Sequence, residues 1–212
     1  MLKTLIYSLL FTCLFQTVAT AQTIEKGWRR IYIKDVGYFD LPITLEVENA
    51  KVKEFSNNGK VVKGYETNSF AAKEKNSNSN KSLNKTYAKI SLETSISSEG
   101  DYRKLNSNKR ITQLELDDLN KLCRKAISNN SEVYGNVTEW FPLKIETVNG
   151  ISCMHYSFKR HFGSKPTEIV HRYSFHNNDR MHDLELSYGI SEIKWKNDFS
   201  KVLGGFTITN IR

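Results

Sequence analysis

The sequence predicts an α+β fold in which an antiparallel sheet carries helices packed on its faces. Three observations predict this class: segments in which apolar and polar residues alternate, a strong two-residue turn at Asn149-Gly150, and two amphipathic segments with helical spacing. Runs of antiparallel strands combined with a few helices are typical of α+β layers and not of a parallel sheet.

The first 21 residues have the pattern of a secretory signal peptide. Lys3 provides a positive start, Leu5 to Val18 is mostly apolar, and Ala19-Thr20-Ala21 is a small-x-small cleavage site. A membrane anchor is the alternative, but the apolar run is shorter than the roughly 20 residues that a spanning helix needs. We therefore expect cleavage after Ala21, a secreted or periplasmic protein, and no transmembrane segment in the mature chain.

Residues 22–212 fit a single α+β domain by length. The Asn, Ser and Lys-rich segment 73–85 has one apolar residue and is expected to be a mobile loop, whereas residues 43–72 give no clear pattern beyond a strand near Lys60 to Tyr65. The whole chain has 31 Lys and Arg residues against 23 Asp and Glu. Because the basic residues are spread along the chain, a solvated surface is favoured over a nucleic-acid site, and export also argues against nucleic acid.

The local elements follow from turn and cap chemistry. Asp35-Val36-Gly37 is expected to join two short arms of an N-terminal hairpin. Thr112 and Glu115 form a capping box that opens an amphipathic helix, and Ser191 is the expected N-cap of a final helix.

Residues from about 136 to 189 predict a four-stranded antiparallel meander. The Asn149-Gly150 turn places Ile145 opposite Met154. A turn at Gly163 to Pro166 pairs Phe162 with Thr167, and this register places Cys153 opposite His176. A third turn at Asn178-Asp179 places His171 opposite Leu186.

All five histidines lie in this meander, so a metal or catalytic site has to be considered. The predicted pleat puts His171 and His182 on the apolar face, and puts His155, His161 and His176 on the opposite face. A zinc site needs three or four converging ligands, which this arrangement does not supply. We therefore predict neither a metal site nor a cofactor.

One row on the second face combines catalytic residue types. Glu146, Cys153 and His176 are predicted cross-strand neighbours, and a thiol beside an imidazole and a carboxylate is the combination of a thiol nucleophile. A polar row without activity is one alternative. Cys123 and Cys153 are also the two cysteines left after signal cleavage, so that a disulfide between them and two free thiols both stay open.

The segments GYFDLP (37–42) and LELSYGISEIKWKNDFSKVLGGFTI (184–208) resemble the PsbP-like α-β-α sandwich family. The element order resembles that family from Trp28 to Arg212, although Gly205 stands where the family usually has serine. The resemblance implies a three-layer sandwich in which the helix after Thr112 covers the meander, with Cys123 directed at Cys153. It also implies a protein that is mostly non-enzymatic and binds or stabilises partners in the cell envelope.

Three functions are consistent with these observations. The first is a secreted or periplasmic, non-enzymatic accessory protein that binds a protein or envelope component. The second is a thiol- and histidine-dependent hydrolase that uses Cys153 and His176 with Glu146. The third is an electrostatic binder of anionic envelope polymers or lipid head groups.

Overall fold

The computed structural model describes residues 23–48, 56–57, 60–61, 67–74, 87–105 and 111–212. The predicted signal peptide, most of the predicted loop at 73–85 and residues 49–55, 58–59 and 62–66 of the segment 43–72 lie outside the described residues. Of the strand expected near Lys60 to Tyr65, only Lys60–Val61 is described.

The described residues form twelve strands and three helices. The strands are β1 (Trp28–Ile33), β2 (Gly37–Pro42), β3 (Leu45–Glu48), β4 (Ser56–Asn57), β5 (Lys60–Val61), β6 (Thr67–Glu74), β7 (Ala88–Ile96), β8 (Asn136–Val148), β9 (Ile151–His161), β10 (Glu168–Asn177), β11 (Arg180–Gly189) and β12 (Thr207–Ile208). The helices are α1 (Gln113–Ser128), α2 (Ser131–Tyr134) and α3 (Ile193–Gly205).

Two antiparallel sheets organise the described part of the chain. The larger has seven strands in the order β3-β6-β7-β11-β10-β9-β8, and the smaller has three strands in the order β1-β2-β12. The strands β4 and β5 form a separate short pair. Every pairing is between antiparallel neighbours.

The predicted N-terminal hairpin is present as β1 and β2, and the C-terminal strand β12 adds to its other edge. Thr207 pairs with Tyr38 and Ile208 pairs with Gly37. A Cβ atom on Gly37 would lie 1.9 Å from the carbonyl oxygen of Thr207, so only glycine allows this close approach. Strand β2 is therefore the centre of a second sheet, and the hairpin is not an isolated ribbon.

The main core lies between the seven-stranded sheet and a cover made of the three-stranded sheet and α3. The hairpin contributes Phe39 and Leu41, and α3 contributes Trp195, Phe199 and Val202. These side chains pack against the apolar residues of the large sheet: Ala72, Ala88, Ile90, Leu92, Tyr173, Phe175, Leu184, Leu186 and Tyr188. The alternation predicted for Ala88, Ile90 and Leu92 is confirmed, because all three are buried.

A second cluster lies on the other face of the large sheet, under α1. Tyr156, Phe158 and Val170 from the sheet pack against Ile127 of the helix. The predicted capping box is confirmed, with the Thr112 side chain accepting from the Glu115 amide and the Glu115 side chain accepting from the Thr112 amide. The predicted cap at Ser191 is wrong, because α3 begins after Glu192 and has no side-chain cap bond.

The predicted α+β class, with helices packed on the faces of a sheet, is wrong. The described residues are mostly β, with 50% strand and 22% helix. The N-terminal hairpin and the segment after α3 lie outside the large sheet. Because β12 pairs with β2, these segments instead form a second sheet that covers one face of the first.

Two of the three predicted meander registers are correct next to their turns, although the β8–β9 register shifts beyond Lys144, where Phe141 pairs with Ser157. Ile145 pairs with Met154 and His171 pairs with Leu186, as predicted. The predicted register between β9 and β10 is wrong by one residue, because Arg160 pairs with Glu168. A slip of one residue exchanges the two faces of a strand relative to its neighbour.

Candidate functional site

The predicted row of Glu146, Cys153 and His176 is not brought together. Glu146 pairs with Cys153 as expected, but the one-residue change of register puts Cys153 and His176 on opposite faces of the sheet. Cys153 is fully buried in the main core. The His176 ring lies edge-on to Tyr102, with 5.8 Å between ring centroids, and its Nδ1 is 3.2 Å from the carbonyl oxygen of Arg103.

The environment of Cys153 disfavours a nucleophilic thiolate. Burial, with a further contribution from the negative charge of Glu146, raises the pKa of its thiol to about 12. A thiolate nucleophile instead needs a lowered pKa, for which a cationic partner or a helix N-terminus is the usual source. Cys153 therefore behaves as a small apolar core residue.

Of the two alternatives left open for Cys123 and Cys153, a disulfide or two free thiols, the structure has two free thiols. Cys123 lies half-buried on α1 and packs with the second cluster, whereas Cys153 belongs to the main core on the other face. Burial also raises the pKa of the Cys123 thiol. The sheet itself lies between the two side chains.

The change of register creates a different polar group, which we call the histidine chain: Glu146, His155, His171 and Tyr188. The Nδ1 atom of His155 lies 2.9 Å from a carboxylate oxygen of Glu146. The Nε2 atom of His155 lies 3.4 Å from Nδ1 of His171, and Nε2 of His171 lies 3.5 Å from the hydroxyl of Tyr188. The chain thus runs across four strands, from β8 through β9 and β10 to β11.

Proton positions in the histidine chain follow from the carboxylate at its end. A carboxylate only accepts, so the neighbouring Nδ1 of a neutral His155 carries the proton and Nε2 presents a lone pair. His171 then donates from Nδ1, and its Nε2 accepts from the Tyr188 hydroxyl. Every proton consequently points towards Glu146.

Electrostatics keep both imidazoles neutral at neutral pH. Burial, with a further contribution from the neighbouring His155, lowers the pKa of His171 to about 4. Burial also lowers the pKa of His155, although the Glu146 carboxylate opposes this effect. Burial alone would raise the pKa of Glu146, but its hydrogen bond to Lys144 and the nearby His155 hold that pKa below its ordinary value.

Aromatic rings fix the orientation of the two imidazoles. The Tyr173 ring stacks on His155 with 4.2 Å between centroids and 9° between planes. The Tyr188 ring stacks on His171 with 6.0 Å between centroids. Packing of this kind restricts the rotamers and holds the ring nitrogens in place.

The other histidines are separate from this chain. His182 is fully buried, and its Nδ1 lies 2.9 Å from the Thr94 hydroxyl. His161 is the last residue of β9, beyond the histidine chain on the same strand. In the described ranges, no group of three or more His, Cys, Asp or Glu side chains could hold a metal ion.

The outer face of the N-terminal hairpin forms a second candidate site, which we call the hairpin face: Trp28, Arg30, Tyr32, Tyr38 and Asp40. Arg30 makes a two-point contact with the Asp40 carboxylate at 2.8 and 2.9 Å, and its guanidinium lies 4.4 Å from the centre of the Tyr38 ring. Tyr32 packs on Tyr38 and is 74% exposed.

A cleft of about 340 Å³ adjoins the hairpin face where the hairpin meets the end of α3. It is lined by Thr23, Glu25, Trp28, Asp40, Lys201, Gly204 and Gly205. The Lys201 ammonium binds the Glu25 carboxylate at 2.8 Å and lies 5.5 Å from the centre of the Trp28 ring. Aromatic and charged groups therefore meet at one end of the molecule.

Comparisons with known proteins concern the fold. No protein-family model and no curated protein matches the chain. Among solved structures, the chain is similar to the solution structure of cyanobacterial PsbP (CyanoP) from Synechocystis sp. PCC 6803, with 14% sequence identity and a TM-score of 0.46. The similarity covers 90% of this chain and 96% of that one, and it does not establish a family.

None of the helices in the described part of the chain combines the length and the apolar character that crossing a bilayer requires.

Proposed function

We propose that the protein is an accessory protein outside the cytoplasm that binds a partner protein through the hairpin face. The observation that carries the proposal is the Tyr32 ring, which is 74% exposed on the outer strand of a small, well-packed sheet. The signal-peptide pattern of residues 1–21 supports the location.

The residue types of the hairpin face favour a protein partner. Trp, Tyr and Arg side chains contribute a large share of binding energy at protein interfaces, because they combine a large contact area with few rotatable bonds. Arg30 is already held by Asp40 and Tyr38, so little side-chain entropy would be lost on binding. The opposite side of the hairpin is anchored in the main core through Phe39 and Leu41.

The adjoining cleft extends this surface. Trp28 and Asp40 belong to both, and the Glu25–Lys201 pair at the rim is exposed on both side chains. An exposed pair of this kind contributes little to stability, so its charges can be exchanged for charges of a partner. The partner is therefore expected to present an apolar or aromatic centre with charged groups around it.

Binding measurements with two single variants test the proposal. Wild-type protein, Tyr32→Ala and Leu114→Ala would be used to recover partners from the native envelope fraction, followed by mass spectrometry and titration of the purified partner. Leu114 is the control, because it is also an exposed apolar side chain but lies on α1. We expect Tyr32→Ala to weaken binding at least about tenfold, and Leu114→Ala to have no effect.

Three outcomes would contradict the proposal. One is equal affinity of wild type and Tyr32→Ala for every recovered partner. Another is a catalytic turnover of the purified protein that Cys153→Ala or His176→Ala abolishes, since this would support the hydrolase. The third is binding that is insensitive to Tyr32→Ala and disappears as salt rises, which would support an electrostatic binder of anionic polymers or head groups.

A further inference from the structure

The distinctive feature of the histidine chain is the geometry of its central pair. Nε2 of His155 and Nδ1 of His171 are 3.4 Å apart, and the two ring centroids are 5.6 Å apart. The distance between the centroids exceeds the distance between the nitrogens by about twice the distance from an imidazole centre to its own nitrogen. The two nitrogens therefore lie on the line that joins the rings, and each is directed at the other.

The outer nitrogen of each ring already has an oxygen beside it. Glu146 lies beside Nδ1 of His155, and the Tyr188 hydroxyl lies beside Nε2 of His171. A carboxylate behind an imidazole is the usual outer support of a metal-binding histidine, because it holds the ring and increases the basicity of the inner nitrogen. The inner nitrogens share one proton, and this proton occupies the position that a cation would take.

We propose that His155 and His171 form a two-coordinate site for a soft monovalent cation of the Cu(I) or Ag(I) type. Two opposed nitrogen donors match the linear coordination of such ions. A tetrahedral Zn(II) site would need further ligands, and the described residues offer no third His, Cys, Asp or Glu in position.

Binding requires a small rearrangement and no net proton release. Metal–nitrogen bonds of about 2.0 Å would place the nitrogens about 4 Å apart, so the rings must separate slightly. The His171 proton moves from Nδ1 to Nε2, where the Tyr188 oxygen can accept it. Both rings enter as neutral donors, and no electron is transferred.

The site is partly open to solvent, and charges of both signs lie near it. His171 is only half-buried, and the Glu146 side chain is partly exposed at the end of the chain. Lys144 binds Glu146, and the charge of Lys196 also acts on His171. These two ammonium groups weaken cation binding, and the carboxylate opposes them.

Silver titration with nitrogen-resolved NMR tests the site on the full mature chain. Histidine-labelled wild-type protein would be titrated with Ag(I), which has no redox chemistry here, while two-bond ¹H–¹⁵N spectra report each ring nitrogen. We expect Nε2 of His155 and Nδ1 of His171 to shift together. The resonances of His182, whose Nδ1 is engaged by Thr94, should not change.

Because thiols also bind silver, affinity would be measured in a Cys123→Ser, Cys153→Ala background. His171→Asn in that background should weaken binding at least tenfold, whereas His161→Asn, on the same strand as His155, should leave it unchanged. The proposal is overturned if the two inner nitrogens do not shift at saturating Ag(I) in the wild type. It is also overturned if His161→Asn weakens binding as much as His171→Asn, or if Zn(II) is held at the same two nitrogens with equal affinity.

The test does not depend on the hairpin face. Tyr32→Ala should bind Ag(I) like the wild type, so failure of the proposed partner binding and failure of the cation site give different results.

Discussion

His155 on β9 and His171 on β10 face each other across the sheet, with 3.4 Å between Nε2 and Nδ1. Neither residue is directly opposite the other, since His171 pairs with Ser157 and His155 pairs with Tyr173. The contact is a diagonal one, which long or aromatic side chains on one face can reach. It brings two neutral imidazoles, a carboxylate and a phenol into one line inside a mostly apolar protein.

Acid should destabilise the protein through its buried histidines. Burial lowers the pKa of His171 and of His182 to about 4, below the ordinary value of 6.5. The unfolded chain therefore binds more protons than the folded chain between these values, and stability is lost as pH falls from about 6.5 towards 4. For the fully buried His182 the loss amounts to roughly 3 kcal/mol.

Melting temperatures recorded between pH 7.5 and 4 measure this dependence. We expect His171→Gln to flatten the curve in that range, because one proton-linked group is removed. An equally steep curve for wild type and His171→Gln would show that His171 is not linked to folding.

The two thiols should differ in reactivity. Cys153 is fully buried and its pKa is raised to about 12, whereas Cys123 is half-buried with a pKa raised by the same cause. At pH 7.5 under native conditions, we expect iodoacetamide to alkylate Cys123 slowly and to leave Cys153 unmodified. In denaturant both thiols should react, as counted by mass spectrometry.

Cys123→Ser is the matched control for this measurement, since it should abolish the native reaction. Rapid native alkylation of Cys153 would contradict its position in the core. A chain that contains no free thiol in denaturant without reductant would contradict the free cysteines of the structure.

Two of the three meander registers follow from turn chemistry, and the third does not. Asn149 and Asn178 both adopt positive φ, at 48° and 66°, which are the conformations that two-residue hairpin turns require. The loop between β9 and β10 has a positive φ at Gly163 but is longer, so its composition does not determine which residues pair.

The pattern of apolar residues does not distinguish the correct β9–β10 register from the predicted one, because both faces of β9 are buried. Cys153 and His155 point into the main core side, while Tyr156 and Phe158 pack under α1. When a strand is covered on both sides, apolar residues are buried in either register. The alternation of apolar and polar residues then no longer shows which register is correct. The contact between His155 and His171 therefore follows from a one-residue difference in the register of β9 and β10.

The second sheet was also beyond sequence reasoning. The pairing of β12 with β2 joins residues about 170 positions apart, and the strand has only two residues. Gly37 is the sequence feature that reflects this pairing, because its close contact with Thr207 leaves no room for a Cβ atom. In the sequence alone, that glycine is explained equally well by the adjacent turn.

The capping box of α1 should contribute measurably to stability. Replacing Thr112 by Ala removes the side-chain oxygen that accepts the Glu115 amide, and such caps contribute about 1 kcal/mol. Ser191→Ala is the control, because no side-chain cap bond is made at the start of α3. Urea unfolding should give a lower midpoint for Thr112→Ala only, and equal midpoints for both variants would count against the cap.

The buried ion pair on the α1 side of the sheet gives the largest expected change in stability. The Arg160 side chain lies 3.1 Å from Glu168 and 4.0 Å from Glu185, and both Arg160 and Glu168 are almost completely buried. Burial raises the pKa of Glu168, although Arg160 opposes this effect. Glu168→Gln removes the closest counter-charge of Arg160 and should reduce the free energy of unfolding by roughly 3 kcal/mol.

Replacing both charged residues by apolar ones separates the contribution of the ion pair to stability from the cost of burying one charge without its partner. We expect the double variant Arg160→Met, Glu168→Leu to be more stable than Glu168→Gln, because neither charge then remains buried without its partner. Arg160→Met alone should be less destabilised than Glu168→Gln, because burial raises the pKa of Glu168 and a carboxyl can be neutralised by protonation, whereas Arg160 keeps its charge. Urea unfolding of the three variants measures both differences, and a double variant no more stable than Glu168→Gln would show that the pair stabilises the fold beyond its mutual neutralisation.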